Sequence, residues 1–268
     1  MTAPAQDRTG RVWRRLAAAL GWTKSSYALM SLFAATIFVI GVVWWPLARD
    51  ALSYIDWSRP LWRQMDWLLL FDFAVMSLLI MAGADLKADA LIIFVGLAGG
   101  LMIESWGTQT ELWVYYTSER PPLWIIPAWP IASLSIDRLT RLLQRLTRRL
   151  PVPHSTAPLL YWLLFPAFYA MLIAFVWPTR DLSLTVMALL LCTLLILSPT
   201  NHRLAVLTFI AGSGLGYFLE LWGTTRLCWT YYTRQTPPLF AVLAHGMAAV
   251  AFWRVGMLIK QLWSKLLT

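Results

Sequence analysis

Two glutamates, Glu104 and Glu220, lie 116 residues apart, each near the end of a long apolar segment. A charged carboxylate is costly in such surroundings, and a carboxyl group that keeps its proton beside water can serve as a general acid or base. If the two carboxylates face one another, their repulsion favours a shared proton. The sequence therefore points to acid–base chemistry at this pair. The structural alternative is that each glutamate only caps loop amides.

The glutamates belong to a segment that occurs twice. Residues 96–138 and 212–254 align without a gap, and both fit the pattern G-x3-G-x3-E-x-W-G-T-x4-W-x-Y-Y-T-x3-P-P-L. No rule of hydrophobicity requires a Glu, a Trp pair and a Tyr pair at matching places. The pattern therefore indicates an internal duplication of the chain.

Aromatic side chains surround both glutamates in the repeated segment. Ring faces can stabilise a cation, and tyrosine hydroxyls can orient water or a polar head group, so we expect these residues to bind a substrate. They are Trp106, Trp113, Tyr115 and Tyr116 in the first copy and Trp222, Trp229, Tyr231 and Tyr232 in the second. The other interpretation is an aromatic belt at the membrane surface, where Trp and Tyr accumulate in membrane proteins.

Three polar residues break the symmetry of the two halves: Asp72, Arg226 and His245. Their counterparts at the same offset are Ala188, Thr110 and Trp129. Because catalytic equipment is usually asymmetric, we assign Asp72 and His245 to acid–base chemistry together with the two glutamates, and Arg226 to substrate binding. The alternatives are an ion pair of Asp72 with Arg226 or Arg120, and a buried histidine with a purely structural hydrogen bond.

These residues must be positioned by membrane helices, because the composition is that of a membrane protein. Of 268 residues, 59% are hydrophobic and 13% are charged, with a mean hydropathy of +0.61. Apolar segments near the length of a bilayer-spanning helix recur along the chain. We count about eight, at 27–47, 67–83, 90–106, 122–139, 158–177, 182–198, 203–221 and 238–259.

The predicted fold is an all-α polytopic membrane protein built from two parallel four-helix repeats. Its parts are a basic cytoplasmic or interfacial lead-in (1–26), a first repeat (27–139), a basic cytoplasmic linker (140–157) and a second repeat (158–268). Four helices are an even number, so both halves enter the membrane from the same side. The two motif loops, at about 105–121 and 221–237, are then expected on one face of the membrane.

Small residues and prolines indicate how the motif helices pack and start. Gly96 and Gly100 lie four residues apart on one helix face, as do Gly212 and Gly216. We expect each glycine face to contact a neighbouring helix closely, and contact between the two glycine faces themselves is one option. Proline suits the first turn of a helix, so the fourth helix is expected to restart at the prolines of positions 121 and 122.

Lys and Arg are unevenly distributed between the predicted loops. With the N-terminus placed in the cytoplasm, the inner segments hold about twice as many of them as the outer segments. This bias predicts cytoplasmic termini and extracytoplasmic motif loops in a bacterial cytoplasmic membrane. The net charge of +9 is explained by this topology and by anionic membrane lipids. No nucleic-acid partner is expected, and the sequence indicates no particular protein partner.

No cofactor and no metal site are expected. The two cysteines, Cys192 and Cys228, fall in a helix and in an outer loop, and they lack metal-ligand spacing. The sequence contains no Gly-rich phosphate loop, no zinc-type histidine pair and no Gly-x-Ser-x-Gly elbow.

The motif resembles a carotenoid family. A Glu near the end of an apolar helix, a following Gly, a Trp/Tyr-x-Tyr loop, then Pro and a Pro-x-Trp turn at 127–129 are similar to polytopic carotenoid biosynthesis proteins of the bisanhydrobacterioruberin hydratase type. That family adds water to a terminal carotenoid double bond, so the resemblance implies an isoprenoid substrate and a functional glutamate at Glu104 or Glu220. It covers about forty residues per copy, and in the second copy Leu-Ala-His at 243–245 replaces the Pro-x-Trp element.

Together these observations favour a membrane-embedded enzyme that acts on a lipidic or isoprenoid, carotenoid-like molecule by glutamate acid–base chemistry, such as hydration or isomerisation. The expected pocket lies in the outer half of the membrane, between the glutamates, Asp72, His245 and the motif aromatics. Two other classes stay open: a transporter or binding protein for a lipid or small molecule, and a non-catalytic assembly subunit that docks partners through its outer aromatic loops.

Overall fold

The computed structural model of the protein describes residues 20–149 and 155–266, preceded by residues 10, 12, 15, 17 and 18. Most of the predicted lead-in (1–26) and the centre of the predicted linker (140–157) lie outside the described residues. Within them, the chain is helical apart from one short β-ribbon. The prediction of an all-helical chain is confirmed at this level, and the ribbon is an addition to it.

The helices follow the apolar segments of the sequence: the segment 27–47 overlaps α1 and the start of α2, and each of the other segments overlaps one α-helix. Their bounds are α1 Lys24–Val43, α2 Trp45–Ser53, α3 Trp67–Met81, α4 Leu86–Gln109, α5 Ala128–Thr147, α6 Thr156–Val176, α7 Ser183–Leu197, α8 His202–Thr225 and α9 Leu239–Leu266. Single 3₁₀ turns lie at Leu61–Arg63 and Trp177–Thr179.

Five of the described helices are long and apolar enough to cross a membrane: α1, α4, α6, α8 and α9. Helices α3 and α7 are apolar but have only 15 residues each, and α5 carries a basic second half. The described part of the chain therefore has the character of a helical integral membrane protein. The described residues thus contain five candidate membrane-crossing helices, whereas the sequence predicts about eight.

The described residues up to Leu91 form one packing unit, in which α1 packs on α3. Helix α1 starts with a capping box, because the Thr23 hydroxyl accepts from the Ser26 N–H and the Ser26 hydroxyl accepts from the Thr23 N–H. The Ser26 hydroxyl also donates to the Met81 carbonyl at the end of α3, over 2.6 Å. Phe33 and Phe73 stack between the two helices and complete their contact.

The second unit, from residue 92 onwards, contains both copies of the motif. Helix α8 packs against α5, α6 and α9, and α6 packs against α7 and α9. The core is rich in aromatic rings, with Phe168 and Phe240 stacked 5.9 Å apart and Phe165 fully buried. In a membrane such close packing, rather than exclusion of water, holds helices together.

A two-stranded antiparallel ribbon joins the two motif loops. Strand β1 (Trp113–Tyr115) pairs with β2 (Trp229–Tyr231), and Val114 lies opposite Thr230 at the centre. Flanking backbone bonds of 3.1 Å run from the Tyr116 N–H to the Cys228 carbonyl and from the Tyr232 N–H to the Leu112 carbonyl. Both motif loops therefore lie at the same end of the second unit.

The glycine faces of the motif contact the helix that follows each of them in the chain. A side-chain carbon added at Gly96 or at Gly212 would meet its nearest neighbours at 2.8–3.2 Å. Those neighbours are Pro130 and Ser133 of α5 for the first, and Gly246, His245 and Ala249 of α9 for the second. Of the two options that the sequence leaves open, the structure thus has each glycine face packed on the next helix.

Helix α5 begins later than predicted. It starts at Ala128, since the residues after the proline pair form successive turns, beginning with a 3.2 Å bond from the Ile125 N–H to the Pro122 carbonyl. The predicted start at positions 121 and 122 is therefore wrong for the first copy. In the second copy, α9 does begin at Leu239, directly after its proline pair. Helix α5 continues to Thr147, so the first half of the predicted linker is helical.

Candidate functional site

Glu104 is buried in a cage of three side-chain donors. It lies in the last turns of α4 and is 4% exposed. Trp113 Nε1 donates to Glu104 Oε2 over 3.0 Å, and the Tyr115 hydroxyl donates to Oε1 over 2.9 Å. Trp129 Nε1, from the start of α5, donates to the same Oε1 over 3.2 Å. Both carboxylate oxygens are therefore satisfied by side chains, and not by loop amides.

Glu220 lies in a second cage built from the matching positions of the other copy, and it is 3% exposed. Trp229 Nε1 donates to Glu220 Oε2, and the Tyr231 hydroxyl donates to Oε1, both over 2.9 Å. The third partner differs, because His245 Nε2 lies 2.9 Å from Oε1 at the place that Trp129 occupies in the first cage. We call the two sets the Glu104 cage (Glu104, Trp113, Tyr115, Trp129) and the Glu220 cage (Glu220, Trp229, Tyr231, His245).

A tight turn after each motif helix brings the donors back over the carboxylate. In the first copy, the Leu112 N–H donates to the Gly107 carbonyl over 3.0 Å, and the turn passes through Glu111 in the left-handed conformation, at φ 57°. The second copy has the same turn, with a 2.8 Å bond from Cys228 to Gly223 and Leu227 at φ 57°. The chain reverses at each turn, so that β1 and β2 run back past the helix ends.

Two glycines in each copy make room for the cage walls. The Trp113 ring lies against Gly107 and the Trp129 ring lies against Gly100, and a side-chain carbon at either glycine would overlap the ring. In the second copy, Gly223 lies against Trp229 and Gly216 lies against His245. Ring packing onto the helix thus explains why these motif positions hold glycine.

The two cages share their walls. The Trp113 ring contacts the Tyr231 ring at 5.7 Å between centroids, and the Tyr115 ring contacts the Trp229 ring at 5.8 Å. Trp129 and His245 also stack, with centroids 5.7 Å apart and planes at 19°. The site is therefore one continuous cluster within the second unit, in which aromatic rings link the two carboxylates.

The cage tyrosines stay protonated at neutral pH. Burial, followed by the charge of the neighbouring carboxylate, raises the pKa of Tyr115 well above its usual value, and the same causes raise the pKa of Tyr231. Both residues belong to the ribbon, outside the membrane-crossing helices. Their hydroxyls therefore remain hydrogen-bond donors to Glu104 and Glu220.

The imidazole of His245 is suited to exchange a proton, since each of its two ring nitrogens can carry either a proton or a lone pair. If Glu220 is ionised, its oxygens can only accept, so Nε2 is the donor of this bond, and Nδ1 then holds the lone pair of the neutral imidazole or the second proton of the imidazolium. No hydrogen bond from the described residues reaches Nδ1, and the side chain is 17% exposed. A histidine that is oriented by a carboxylate in this way is the usual arrangement of an acid–base pair.

Four further predicted substrate-binding aromatics lie at the edge of this cluster. Trp106 and Trp222 meet the cage tryptophans of their own copies edge-on, at 5.8 and 6.1 Å. Tyr116 follows β1 and is 54% exposed, whereas the Tyr232 hydroxyl donates to a carbonyl of α6 over 2.7 Å. Trp106 and Trp222 thus border the cages through their contacts with the cage tryptophans.

Arg226 and Asp72 lie outside the cages. Arg226 is the C-cap of α8, and its side chain is exposed. Arg120, the other cation considered for Asp72, forms an ion pair with Glu111 over 2.8 Å. Asp72 belongs to α3 of the first unit and is 5% exposed, and its Oδ2 has no hydrogen-bond partner among the described residues. The cages consist of residues of the second unit alone.

Trp129 is the site residue that sequence reasoning missed. The sequence analysis names it as the counterpart of His245 and as part of the Pro-x-Trp turn but gives it no role in the site, although its indole N–H completes the Glu104 cage. The constant offset of 116 residues was a usable signal, because a partner of one glutamate predicts a partner of the other. Thr108 and Thr224 were also missed, and their hydroxyls donate to the backbone carbonyls of Glu104 and Glu220.

Within the described ranges, no group of three His, Cys, Asp or Glu side chains is placed to hold a metal ion. Comparison with family models, with curated proteins and with solved structures finds no match to this chain. The function must therefore be argued from the cages themselves.

Proposed function

We propose that the protein is an integral membrane enzyme that performs acid–base chemistry on a lipidic, isoprenoid-like molecule, with His245 and Glu220 as the proton-exchanging pair. One observation carries the proposal: the two cages match in every hydrogen-bonding residue except one, Trp129 in the first and His245 in the second. An indole N–H can only donate, whereas an imidazole can give up and recover a proton. Two purely structural cages would not need this difference.

The two cages then have different roles. Glu220 orients the imidazole and stabilises its charged form, and Nδ1 exchanges the proton with the substrate. Glu104 is a positioning residue: it holds the indole of Trp129, and the indole stacks flat on the imidazole of His245. This assignment is narrower than the sequence-based one, in which Glu104, Glu220, Asp72 and His245 all take part in catalysis.

Hydration of a carbon–carbon double bond is the reaction class that this equipment suits. The imidazolium transfers its proton to one alkene carbon, the oxygen of a water molecule bonds to the other carbon, and that water returns a proton to the imidazole. Positive charge develops on carbon during the first step, and the faces of the neighbouring Trp and Tyr rings can stabilise it. If the proton is instead lost from an adjacent carbon, the same pair performs an isomerisation.

An isoprenoid substrate is supported by the resemblance of the motif to carotenoid hydratase-type proteins and by the apolar surroundings of the cages. We propose with it a topology of two four-helix repeats, related by a twofold axis along the membrane normal. This axis would pass through the centre of the ribbon. The topology is supported by cage contacts that recur at the same offset in both copies. The Lys and Arg distribution favours cytoplasmic termini and extracytoplasmic motif loops.

A second candidate is a non-catalytic assembly subunit that docks partners through the motif loops. It is favoured by the exposed apolar side chains at the tips of those loops, among them Tyr116 and Leu227, of which Leu227 is 65% exposed. Leu227 also adopts a left-handed conformation that a branched side chain rarely takes.

Pigment and lipid analysis of a deletion strain tests the proposed enzyme. We expect the strain to accumulate an alkene that is one water lighter than the missing product, or its isomer, and the wild-type gene to restore the product. His245→Asn and Glu220→Gln should leave the precursor in place. His202→Asn is the matched control, because His202 contacts the Tyr161 ring far along α8 from Glu220 and should complement fully.

Two outcomes would contradict the proposed enzymatic function. One is a deletion that changes no lipid or pigment, and the other is full complementation by His245→Asn. The assembly-subunit candidate makes the opposite prediction: a Tyr116→Ala/Leu227→Ala variant should lose co-purifying protein while the cage variants keep it.

A further inference from the structure

The second half of α5 and the start of α8 form a strongly basic surface in the second unit. Its members are Arg141 and Arg145 in the second half of α5, Arg148 and Arg149 directly after its end at Thr147, and Arg203 in the first turn of α8. All of these side chains are exposed. We call this set the basic collar.

Little acidic charge balances the collar. Asp137 forms ion pairs with the buried Arg138, over 2.7 Å, and with Arg141. Among the described residues, Arg145, Arg148 and Arg149 form no ion pair, and Arg203 donates to the hydroxyl of Thr147 over 3.0 Å. Several guanidinium groups are thus left for a partner outside the chain.

The collar lies at the opposite end of α8 from the cages. The bond between Arg203 and Thr147 places the last turn of α5 level with the first turn of α8. Glu220 lies in the last turns of the same helix, and the rise of an α-helix separates Arg203 from Glu220 by about 25 Å. This separation approaches the thickness of a bilayer core, so the collar lies at one membrane surface when the cages lie near the other.

Apolar side chains alternate with the collar arginines. Leu142 is 45% exposed and Leu146 is 61% exposed, and they are four residues apart on one stripe of α5. The arginines occupy the adjacent stripe. A basic stripe beside an exposed apolar stripe matches a membrane surface, where the leucines reach acyl chains and the guanidinium groups reach phosphates.

We infer that the basic collar binds the headgroups of anionic phospholipids in the leaflet at this end of the protein. Guanidinium groups form paired hydrogen bonds to phosphate oxygens, and a basic segment beside a membrane helix attracts anionic lipid. A nucleic acid or an acidic protein would satisfy the charges but would leave Leu142 and Leu146 exposed to water. This inference does not depend on the proposed enzyme.

The test reconstitutes the full chain in nanodiscs of phosphatidylcholine, with and without phosphatidylglycerol, and measures the lipid retained after extraction. Wild-type protein should retain phosphatidylglycerol in clear excess over its share of the disc. Arg145→Gln/Arg148→Gln/Arg149→Gln should reduce that enrichment by about tenfold or more, since several such interactions are removed. The lysine triple variant at the same positions should keep most of it.

A matched control removes three arginines from the first unit. Arg49→Gln/Arg59→Gln/Arg63→Gln should leave the enrichment unchanged, because Arg59 pairs with Asp56 and Arg63 lies over the Trp62 ring. Wild-type protein alone gives a second measurement, in which raising the salt concentration should lower the enrichment.

Equal enrichment in the wild type and the collar variant would overturn the inference, as would an enrichment that salt does not change. Tight binding of an oligonucleotide or an acidic peptide to the collar in discs of phosphatidylcholine, with no preference for phosphatidylglycerol, would also overturn it and assign the surface to that other partner.

Discussion

Trp129 and His245 stack with their ring centroids 5.7 Å apart, although they come from equivalent positions on two different helices, α5 and α9. Each ring is held at its own carboxylate, Trp129 at Glu104 and His245 at Glu220. A substitution of either ring must therefore alter the packing in both cages.

Replacing His245 by Trp should keep the bundle folded and abolish the proposed activity. The first cage already contains an indole at this place, with a glycine beneath it and a carboxylate in front of it. Thermal unfolding and product analysis measure the two effects. The double variant Trp129→His/His245→Trp moves the imidazole to Glu104 and should recover part of the activity. A double variant as inactive as His245→Trp would contradict the role given to this one difference.

Neutralising the two glutamates should have unequal effects on stability. In Glu104→Gln, the amide NH₂ must face the N–H of Trp113 or Trp129, neither of which can accept, so a buried donor is left unsatisfied at a cost of about 1–3 kcal/mol. In Glu220→Gln, the NH₂ can donate to Tyr231 and His245, both of which can accept. We therefore expect thermal unfolding to show the larger loss for Glu104→Gln, and product analysis to show the larger loss for Glu220→Gln.

Chemical denaturation of both purified variants in one detergent decides this prediction. Equal losses of stability would mean that the third partner of each cage makes no difference to its hydrogen bonding. A larger loss for Glu220→Gln would contradict the acceptor roles of Tyr231 and His245.

Adding a methyl group at Gly107 should destabilise the second unit. The Trp113 ring lies against this glycine and is held by its bond to Glu104, so Gly107→Ala forces a shift that costs about 1–3 kcal/mol or more. Gly214→Ala is the control, because Gly214 also lies in a motif helix and has no neighbouring atom within 4 Å. It should be neutral or stabilising by up to about 1 kcal/mol, since Ala favours helix. Similar midpoints for the two variants would contradict the packing described here.

Stability should fall at high pH through the cage tyrosines. The folded-state pKa of Tyr115 and Tyr231 is raised above the usual 10.0, so the unfolded chain loses these protons first as the pH rises. Their contribution to stability is fully present below about pH 10 and is lost as the pH rises through the folded-state pKa. Thermal midpoints in detergent should be level near neutral pH and fall above about pH 10. The Tyr115→Phe/Tyr231→Phe variant should have a lower thermal midpoint at neutral pH and a smaller decrease of that midpoint above about pH 10. An equal decrease in the variant and the wild type would exclude these hydroxyls as the cause.

Cysteine labelling should place both motif loops on one side of the membrane. The ribbon holds the loops at one end of the second unit, and Arg145 lies toward the other end. In a background without Cys192 and Cys228, Tyr116→Cys and Gln235→Cys should react with an impermeant maleimide from the same side, and Arg145→Cys from the opposite side. Labelling of the two loop cysteines from opposite sides would rule out the parallel arrangement of the halves.

The long helices could be predicted from the sequence because an apolar run of nearly membrane length has few alternatives to a helix. The ribbon could not, since strands of three residues carry no usable alternation of apolar and polar positions. The start of α5 was misplaced because a proline pair suits a turn as well as a first helical turn. Only the contacts of the folded chain distinguish the two, as Pro122 in the first copy shows.

The candidate site was predictable as far as the repeated motif extends. Glu104, Trp113 and Tyr115 lie within one short segment, so their repetition marks them as a group. Their bonds depend on the chain reversal at Glu111, which helical spacing does not describe. Trp129 enters only through the packing of α5 on α4, 25 residues from Glu104. The offset of 116 residues from His245 marks its position, whereas its bond to Glu104 is visible only in the structure.

The cross-pairing of β1 with β2 means that neither copy of the motif closes its cage alone, because the Tyr231 ring covers Trp113 and the Tyr115 ring covers Trp229. A molecule with a single copy could complete its cage only by pairing with a second identical molecule. The central ribbon residues of the two molecules would then lie opposite each other at a twofold axis. Within one chain, the second unit thus holds the two copies of the motif side by side, as a symmetric pair of molecules would. In a true homodimer both positions would carry the same residue, so only the single chain can keep Trp129 in one cage while placing His245 in the other.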